Sequence, residues 1–451
     1  MECPRNGSMK PRIAALVLLS VCGCATPPGR DRGDVSRLVA TRTGYTVGAC
    51  PAPNQLLIPP GLELGQPLTE DHAVLLALWN NPLFQESLAE LALTRADLVQ
   101  AGLLPNPEFV YYFGVADKPL KYLIEFPIEA LWMRPLRLKA AAAENERASE
   151  RLTQLALDLI RDTRQAYADL ILARDRVTLA AASVKLRGRV AEVGEARLKA
   201  GDASEIEVTT ARIDSLQAQQ DAARVAGDVP FAEERLKNLT GLSGFTGPLA
   251  LDPAGADDNP EFAVEEVVRD AISTRPDALA AAYAVKAADE RVRVARLGWV
   301  RFLGILDATS GQRAGHELGP AARFTIPIFN RNQGGLARTE AERDQLVRRQ
   351  VTVRNQIVQD VRQAHVRYRQ GRAELDILRQ KVRPEVENGV RRARAAYETG
   401  NAPFLLVLET NRQLLGTFDR EAQLHADLRR AWAELERAVG RRLAPPKEPA
   451  R

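Results

Sequence analysis

Lys121-Tyr122-Leu123-Ile124-Glu125-Phe126-Pro127-Ile128 carries an apolar side chain at every second position, with Lys121, Leu123, Glu125 and Pro127 between them. Successive side chains of a strand point to opposite faces, so this stretch reads as a strand with one apolar and one mostly polar face. Just upstream, Phe109, Tyr111, Phe113 and Val115 repeat the pattern beside Glu108, Val110, Tyr112 and Gly114. Further on, Phe324, Ile326 and Ile328 alternate with Arg323, Thr325 and Pro327. A weaker run, Phe302 to Ala308, puts Arg301 and Asp307 on the face of Leu303 and Ile305. Strands are expected over about 108–115, 121–128, 301–308 and 322–328. Aromatic residues on one side and charges on the other suit a strand between lipid and water. Two soluble hairpins capping a helical bundle are the other reading the pattern allows. Four strands cannot close a barrel and lipid tolerates no open sheet edge, so spanning strands require several copies of the chain.

Outside these runs the chain reads as long helix. Leu152, Ala156, Leu159, Thr163, Ala166, Leu170, Ala173, Val177, Ala180 and Val184 follow four-three spacing, the seam of a coiled coil. Val353, Ile357, Val361, Ala364, Tyr368, Gly371, Leu375, Leu378 and Val382 form a second seam. Between about 131 and 200, and between about 331 and 399, only Pro135 and Pro384 interrupt the pattern. About seventy residues of helix at ~1.5 Å each extend roughly 100 Å. Small seam residues let helices approach closely, as the wall of a narrow tube requires, although the spacing equally fits an antiparallel rod. No apolar run after the N-terminal segment is long enough for a transmembrane helix.

The order helix, two strands, long helix, turn, closing helix occurs twice. It starts after Pro82 and closes at Gly241, then starts again after Pro276 and closes at Gly440. Repetition on this scale indicates duplication of a whole supersecondary unit. The first repeat is assigned to 68–245, the second to 260–441 and a C-terminal tail to 442–451. The hairpins turn at Gly201-Asp202-Ala203-Ser204 and Gly400-Asn401-Ala402-Pro403, where glycine supplies a left-handed cap and Ser204 or Pro403 starts the next helix. Only 5% of the 451 residues are aromatic although 45% are hydrophobic, which fits long packed helices better than two globular cores. The 62 basic residues lie among 58 acidic ones, so the net charge of +4 reads as solvated helix faces rather than a nucleic-acid surface.

Met9-Lys10-Pro11-Arg12 followed by the apolar run Ile13 to Val21 reads as a signal peptide over residues 1–23. Val21-Cys22-Gly23-Cys24 resembles the bacterial lipobox, which makes Cys24 the acylated first residue, carrying palmitate, of an N-terminal strap over 24–67. That strap, rich in Pro, Gly, Arg and Asp, is expected to hold little regular structure. Ala25 rather than Asp follows Cys24, which points to the outer membrane. Only Cys50 would then remain as a free thiol, leaving no intramolecular disulfide.

Three sets of residues carry a family resemblance: Leu68-Thr69 through Asn80-Asn81-Pro82, Ala101-Gly102-Leu103-Leu104-Pro105-Asn106-Pro107, and the paired Arg197-Leu198-Lys199-Ala200-Gly201 and Ala396-Tyr397-Glu398-Thr399-Gly400. In this order and duplicated, over about residues 68–441, they resemble the TolC-like outer-membrane factors, exit ducts of efflux and type I secretion systems. The resemblance implies a mainly α fold with a small membrane β part. Duplicated long helical hairpins would form an α-barrel, and four strands per chain would contribute to a trimeric 12-stranded β-barrel. It implies a homotrimer in the outer membrane with a large periplasmic part, working with a periplasmic adaptor and an inner-membrane pump of the RND type. It also implies a periplasmic gate at the hairpin tips, Gly201 and Gly400. Glu207 falls on the family's first-repeat gate acid, Glu409 on a second-repeat acid and Tyr397 on the gate tyrosine. Leu406 stands where another acid is usual and Ala402 where a basic partner is usual, so Leu406 becomes an apolar gate candidate.

Chemistry is sparse. His72, His316, His365 and His425 have no histidine or cysteine at ligand spacing, and Met133 is the sole methionine after the signal, so no metal site is expected. No phosphate loop, nucleophile elbow or HExxH occurs, so neither an enzyme nor a cofactor beyond the lipid on Cys24 is expected. The expected function is passive export of small toxic compounds, drugs or metal ions. A type I protein secretion duct, or a lipid-anchored coiled-coil adaptor or structural protein, are the alternatives. Compact loops and the run Leu104-Pro105-Asn106-Pro107-Glu108 lean toward a metal-resistance branch.

Overall fold

The computed structural model describes residues 29–52, 55–63, 65–113, 121–252, 262–310, 316–399 and 401–443. Cys24, Gly400, the signal segment and most of the C-terminal tail therefore lie outside the described residues. In chain order the elements are α1 (Arg32–Thr43), α2 (Glu70–Asn80), α3 (Pro82–Gly102), β1 (Glu108–Tyr112), β2 (Lys121–Pro127), α4 (Glu129–Lys199), α5 (Glu205–Ala226) and α6 (Asp228–Thr240). The second half supplies α7 (Val264–Thr274), α8 (Pro276–Leu297), β3 (Phe302–Ser310), β4 (His316–Phe324), α9 (Gln333–Ile377), a π-helical turn (Leu378–Val382), α10 (Arg383–Glu398) and α11 (Phe404–Val439). The order of elements is the same in both halves, apart from the closing helix, which is divided at Gly227 into α5 and α6 in the first half, and the long helix, which the π-helical turn divides in the second. The chain divides into two compact units, one of Met1–Arg32, Ala89–Arg151 and Asp277–Val353, the other of Gly33–Leu88, Leu152–Pro276 and Arg354–Arg451.

In the first unit the four strands form one antiparallel sheet in the order β1-β2-β3-β4. Its register aligns Phe109, Ile124, Leu306 and Pro320 in one row and Tyr111, Tyr122, Ala308 and Leu318 in the next. Phe126, Phe302, Ala322 and Phe324 share their face, which is therefore apolar except at the end pair Ser310 and His316. Phe109, Ile124, Leu306, Leu318 and Phe324 are exposed on it. The opposite face carries ion pairs, Lys121 to Asp307 at 2.9 Å and Arg323 to Glu125 at 3.0 Å. One face suits lipid and the other water. Trp132 and Trp299, both exposed, flank the sheet just after β2 and just before β3, as the aromatic rim of a membrane segment does.

The fourth strand corrects the sequence reading. It runs over His316–Phe324, not 322–328, and Ile326 and Ile328 lie beyond it. Gly319-Pro320 suggests a turn locally, but β4 is an outer strand of the sheet, where proline is tolerated, and nine residues of β3 offer it partners. β1 ends at Tyr112, short of the expected 115, and residues 114–120 are outside the described set.

In the second unit, α4 is buried on more than its seam. Leu152, Ala156, Leu159, Thr163, Ala166, Leu170 and Ala173 are buried as the spacing predicts, and so are Leu157, Ile160, Tyr167, Ala168 and Leu172. Part of the extra cover is the segment around Leu62, Leu68 and Leu249, which packs with Ala166, Tyr167 and Leu170. The strap also departs from expectation, because α1 forms within it. Val35 and Val39 are fully buried and Gly44, at φ 80°, caps the helix by donating to Ala40 O at 2.8 Å. Tertiary burial outweighs a composition that reads as loop. Tyr45, just after α1, donates to Asp71 and accepts from Arg164 Nη2 at 2.9 Å, and Arg164 pairs with Glu436. Burial pushes the Tyr45 hydroxyl far above its ordinary pKa, so it stays a donor.

Both halves close with the same device. Asn81, immediately before Pro82, donates from Nδ2 to Leu239 O at 3.0 Å, and Arg275, immediately before Pro276, donates from Nη1 to Ala438 O at 3.1 Å. Each acceptor lies two residues before the glycine that ends the closing helix, Gly241 or Gly440, where a helix leaves carbonyls without intrahelical donors. Gly241 has φ 74° and a Cβ there would sit 2.6 Å from Asn80 Cβ, so both conformation and space exclude other residues. Arg275 is 1% exposed and its charge is met by Asp360 at 3.0 Å, which also takes Arg437 at 3.3 Å.

Two predictions follow from these units. Ile124→Arg is expected to cost about 2–4 kcal/mol of folded-state stability near a bilayer midplane. Ala321→Arg, on the polar face, is expected to change it little; urea titration in lipid vesicles that gives equal losses would contradict the assignment of faces. Arg275→Ala leaves Asp360 short of a partner and is expected to cost about 3–5 kcal/mol. Asn81→Ala removes one neutral hydrogen bond and is expected to cost about 1 kcal/mol, so the same titration should rank the two well apart.

Candidate functional site

The residues singled out by the sequence lie at the ends of the helical hairpins in the second unit. α4 ends in a Schellman turn, with Gly201 donating to Leu198 O at 3.0 Å and Asp202 to Arg197 O at 2.8 Å. Gly201 has φ 82°, the left-handed value that such a turn requires. The second tip repeats the longer bond, Asn401 donating to Ala396 O at 2.8 Å. After the first turn, Ser204 starts α5 with a capping box: Glu207 N donates to Ser204 Oγ at 3.3 Å and Ser204 N to Glu207 Oε2 at 3.2 Å. Glu207 therefore holds the start of a helix while its side chain remains exposed.

The two tips meet at Tyr397. Arg197, four residues before Gly201, donates to the Tyr397 hydroxyl and lies 5.2 Å from the centre of its ring. A guanidinium over an aromatic face is attracted by the ring's electron density, so the contact joins a hydrogen bond to a cation–π interaction. Arg197 also donates to Asp202 O at 3.3 Å, which fixes its direction. Further from the tips, Asp214 on α5 lies between Arg187 on α4, at 3.3 Å, and Arg412 on α11. Only 3% of the Asp214 side chain is exposed, so this carboxylate is the charge on which both hairpins converge.

The structure brings together some of the predicted residues and not others. Tyr397 is half-buried against Arg197, whereas Glu207 and Glu409 are exposed and share no hydrogen-bond partner among the described residues. Glu409 acts through its charge on Arg412, one turn away. Leu406 is 44% exposed beside the more exposed Leu405. Arg187, Asp214 and Arg412 are not anticipated from the sequence, because their meeting joins the hairpin of α4 and α5 to α11, distant in the chain. Arg197 stood in a quoted motif without a role. Among the described residues there is no cluster of His, Cys, Asp and Glu able to hold a metal ion, and no helix is long and apolar enough to cross a membrane.

Residues 122–242 and 267–441 match the outer membrane efflux protein family, one stretch in each half of the duplication. The chain is 26% identical over 392 residues to the cobalt-zinc-cadmium resistance protein CzcC of Cupriavidus metallidurans, covering 84% of this chain and 91% of that one. Its fold resembles the outer-membrane channel OprN (TM-score 0.71, 19% identity, 83% of this chain and 91% of that one). It also resembles CusC (0.70, 18%, 88% and 99%) and the outer membrane protein VceC of Vibrio cholerae (0.70, 16%, 83% and 97%). Proteins of this family are trimeric and work with an adaptor and an inner-membrane pump. With both halves matched and the fold shared, the chain belongs to the outer membrane efflux protein family: it is an outer-membrane exit duct of a tripartite efflux system, a passive channel and not an enzyme.

Proposed function

We propose that this duct exports divalent transition-metal cations for a pump of the RND type, with the hairpin tips as its periplasmic mouth. The observation that carries the cargo is the likeness to a cobalt-zinc-cadmium resistance protein along nearly the whole length of both chains. The tips fit that cargo. Glu207 and Glu409 are exposed there, and three copies would offer six carboxylates, which favour cations at a constriction. No resident metal site is needed, because a duct must release what it passes. Closure at the mouth would rest on Tyr397 against Arg197 and on Asp214 between its two arginines, with Leu406 as an apolar neighbour.

Three copies would also place β4 of one chain beside β1 of the next and close a 12-stranded barrel with the apolar faces outward. The N-terminus would be held by lipid on Cys24, in the periplasmic face of the outer membrane, with residues 24–67 as the strap. Support for this anchor is the sequence Val21-Cys22-Gly23-Cys24 after a short apolar run.

Deleting the gene is expected to lower tolerance to cobalt, zinc and cadmium, with recovery on complementation. Unchanged metal tolerance together with new sensitivity to organic antibiotics would assign the duct to drug export instead. Labelling with an alkyne palmitate analogue is expected in the parent and in Cys22→Ser but not in Cys24→Ser, and label retained in Cys24→Ser would remove the anchor.

A further inference from the structure

The two halves differ in the course of their long helix, which the duplication does not explain. α4 runs without interruption from Glu129 to Lys199, whereas the corresponding helix of the second half is broken by the π turn Leu378–Val382. In that turn Arg383 N donates to Leu378 O, five residues back instead of four. Pro384 follows directly and has no N–H to give to the carbonyl of Gln380, so an α-helical ladder could not have continued unbroken here.

One extra residue in a turn changes which side chains face the partner helix. Ile357, Val361, Ala364, Tyr368, Leu375 and Leu378 are buried along the seam. Continued at four-three spacing, the seam would pass through Val382, Glu385, Gly389, Arg392 and Ala396. Val382, which the sequence reading placed on it, is instead 40% exposed, and Glu385 and Arg392 are exposed too. Burial resumes one residue later, at half-buried Val386 and Val390, at Ala393 with 4% exposure, and at Tyr397. Were the same residues to run through an ordinary α turn here, Ala396, not Tyr397, would lie on the seam.

We infer that the π turn at Leu378–Val382 is the register element that aims Tyr397 at Arg197. A clamp holds it in place. Arg379 on the turn donates to Glu421 at 3.0 Å, Arg383 just after it donates to the other oxygen of Glu421 at 3.2 Å, and the Arg383 guanidinium lies 5.3 Å from the Phe418 ring. Arg379 also contacts His425. Both arginines are thus tied to α11, the return helix of the same hairpin. The turn positions Tyr397 from about fifteen residues away, and does so through helix phase alone.

The test uses full-length trimer in which Cys50→Ser removes the exposed free thiol and Ala393→Cys reports the register. Maleimide labelling is expected to be slow in this parent. Deleting Gln380 removes the residue that the π turn absorbs, so the turn closes to α-helix with residue 393 still in phase on the seam, and labelling is expected to stay slow. Inserting one alanine after Glu387 in the deletion protein leaves no π turn to absorb it and is expected to speed labelling by on the order of tenfold, as residue 393 rotates into water. If the inserted protein fails to assemble while the deletion protein assembles with residue 393 protected, the inference is supported equally. Exposure of residue 393 by the deletion, or protection that survives the insertion, overturns it.

The role of the tips as the mouth is a separate reading on which the functional meaning of this register rests. Planar-bilayer conductance tests it, and both the insertion variant and Tyr397→Ala are expected to raise it. Unchanged conductance in both, with residue 393 exposed by the insertion, would discard the mouth and keep the register.

Discussion

A sheet with two open edges and one largely apolar face is not a finished structure in a membrane. β1 and β4 each present a row of backbone donors and acceptors that, among the described residues, no further strand pairs. In water such groups find solvent, but in hydrocarbon each unsatisfied group costs several kcal/mol, of the order ~2–7. Much else in the chain is consistent with that constraint. The polar face, with its Lys121–Asp307 and Glu125–Arg323 pairs, has to line water, so the closed sheet must surround a channel. Long helices with small seam residues can likewise wall a narrow tube, which a packed globular domain cannot.

Duplication solves the problem of making such a wall from one chain. Each half must return its closing helix to the place where its first helices begin, and the Asn81 and Arg275 side chains accomplish this with the same bond to the same carbonyl position. The chemistry has nevertheless diverged. Asn81 is neutral and local, while Arg275 brings a buried charge that requires Asp360 and, through it, Arg437. A neutral amide can be satisfied by the backbone it caps; a guanidinium recruits neighbours until its charge is met. The second half is therefore tied together more extensively at this end, and it is also the half with the π turn near the other.

Periodicity made most of the architecture legible. Two strands and both long helices follow from alternation and four-three spacing, because those patterns record which faces are buried. The readings that failed are those where a distant partner decides. β4 contains Gly319-Pro320 and is a strand because β3 lies beside it; α1 looks like a loop until Val35 and Val39 are buried. Val382 fits the seam by spacing, and only the five-residue hydrogen bond ahead of Pro384 shows why it does not join it. At the tips, glycine and capping residues were readable because caps are local. Glu207 was readable as an acid at the tip but not as the second member of a capping box. Asp214 was not readable at all, since nothing within a few residues marks it as the meeting point of Arg187 and Arg412.

The distribution of ion pairs fits a structure that must hold and also open. Along the bundle, Arg176 to Asp419 at 3.0 Å, Arg430 to Asp169 at 2.5 Å and Arg437 to Asp158 at 2.7 Å join α4 to α11. Such partly exposed pairs contribute little individually, about 0–1 kcal/mol each. Their value is directional, because a guanidinium meets a carboxylate well in few geometries and so fixes helix against helix where an alanine-rich seam would permit sliding. Near the tips the pattern changes. Arg197 bonds a neutral phenol instead of a carboxylate, and Asp214 is shared by two arginines of which Arg412 is about half exposed. A phenol hydroxyl is easier to release than a carboxylate, because water replaces a neutral acceptor more readily than it meets a charge left in a buried site. At the tips the readily reversible contact between the hairpins is thus Arg197 with Tyr397, while the buried Asp214 holds α4, α5 and α11 together.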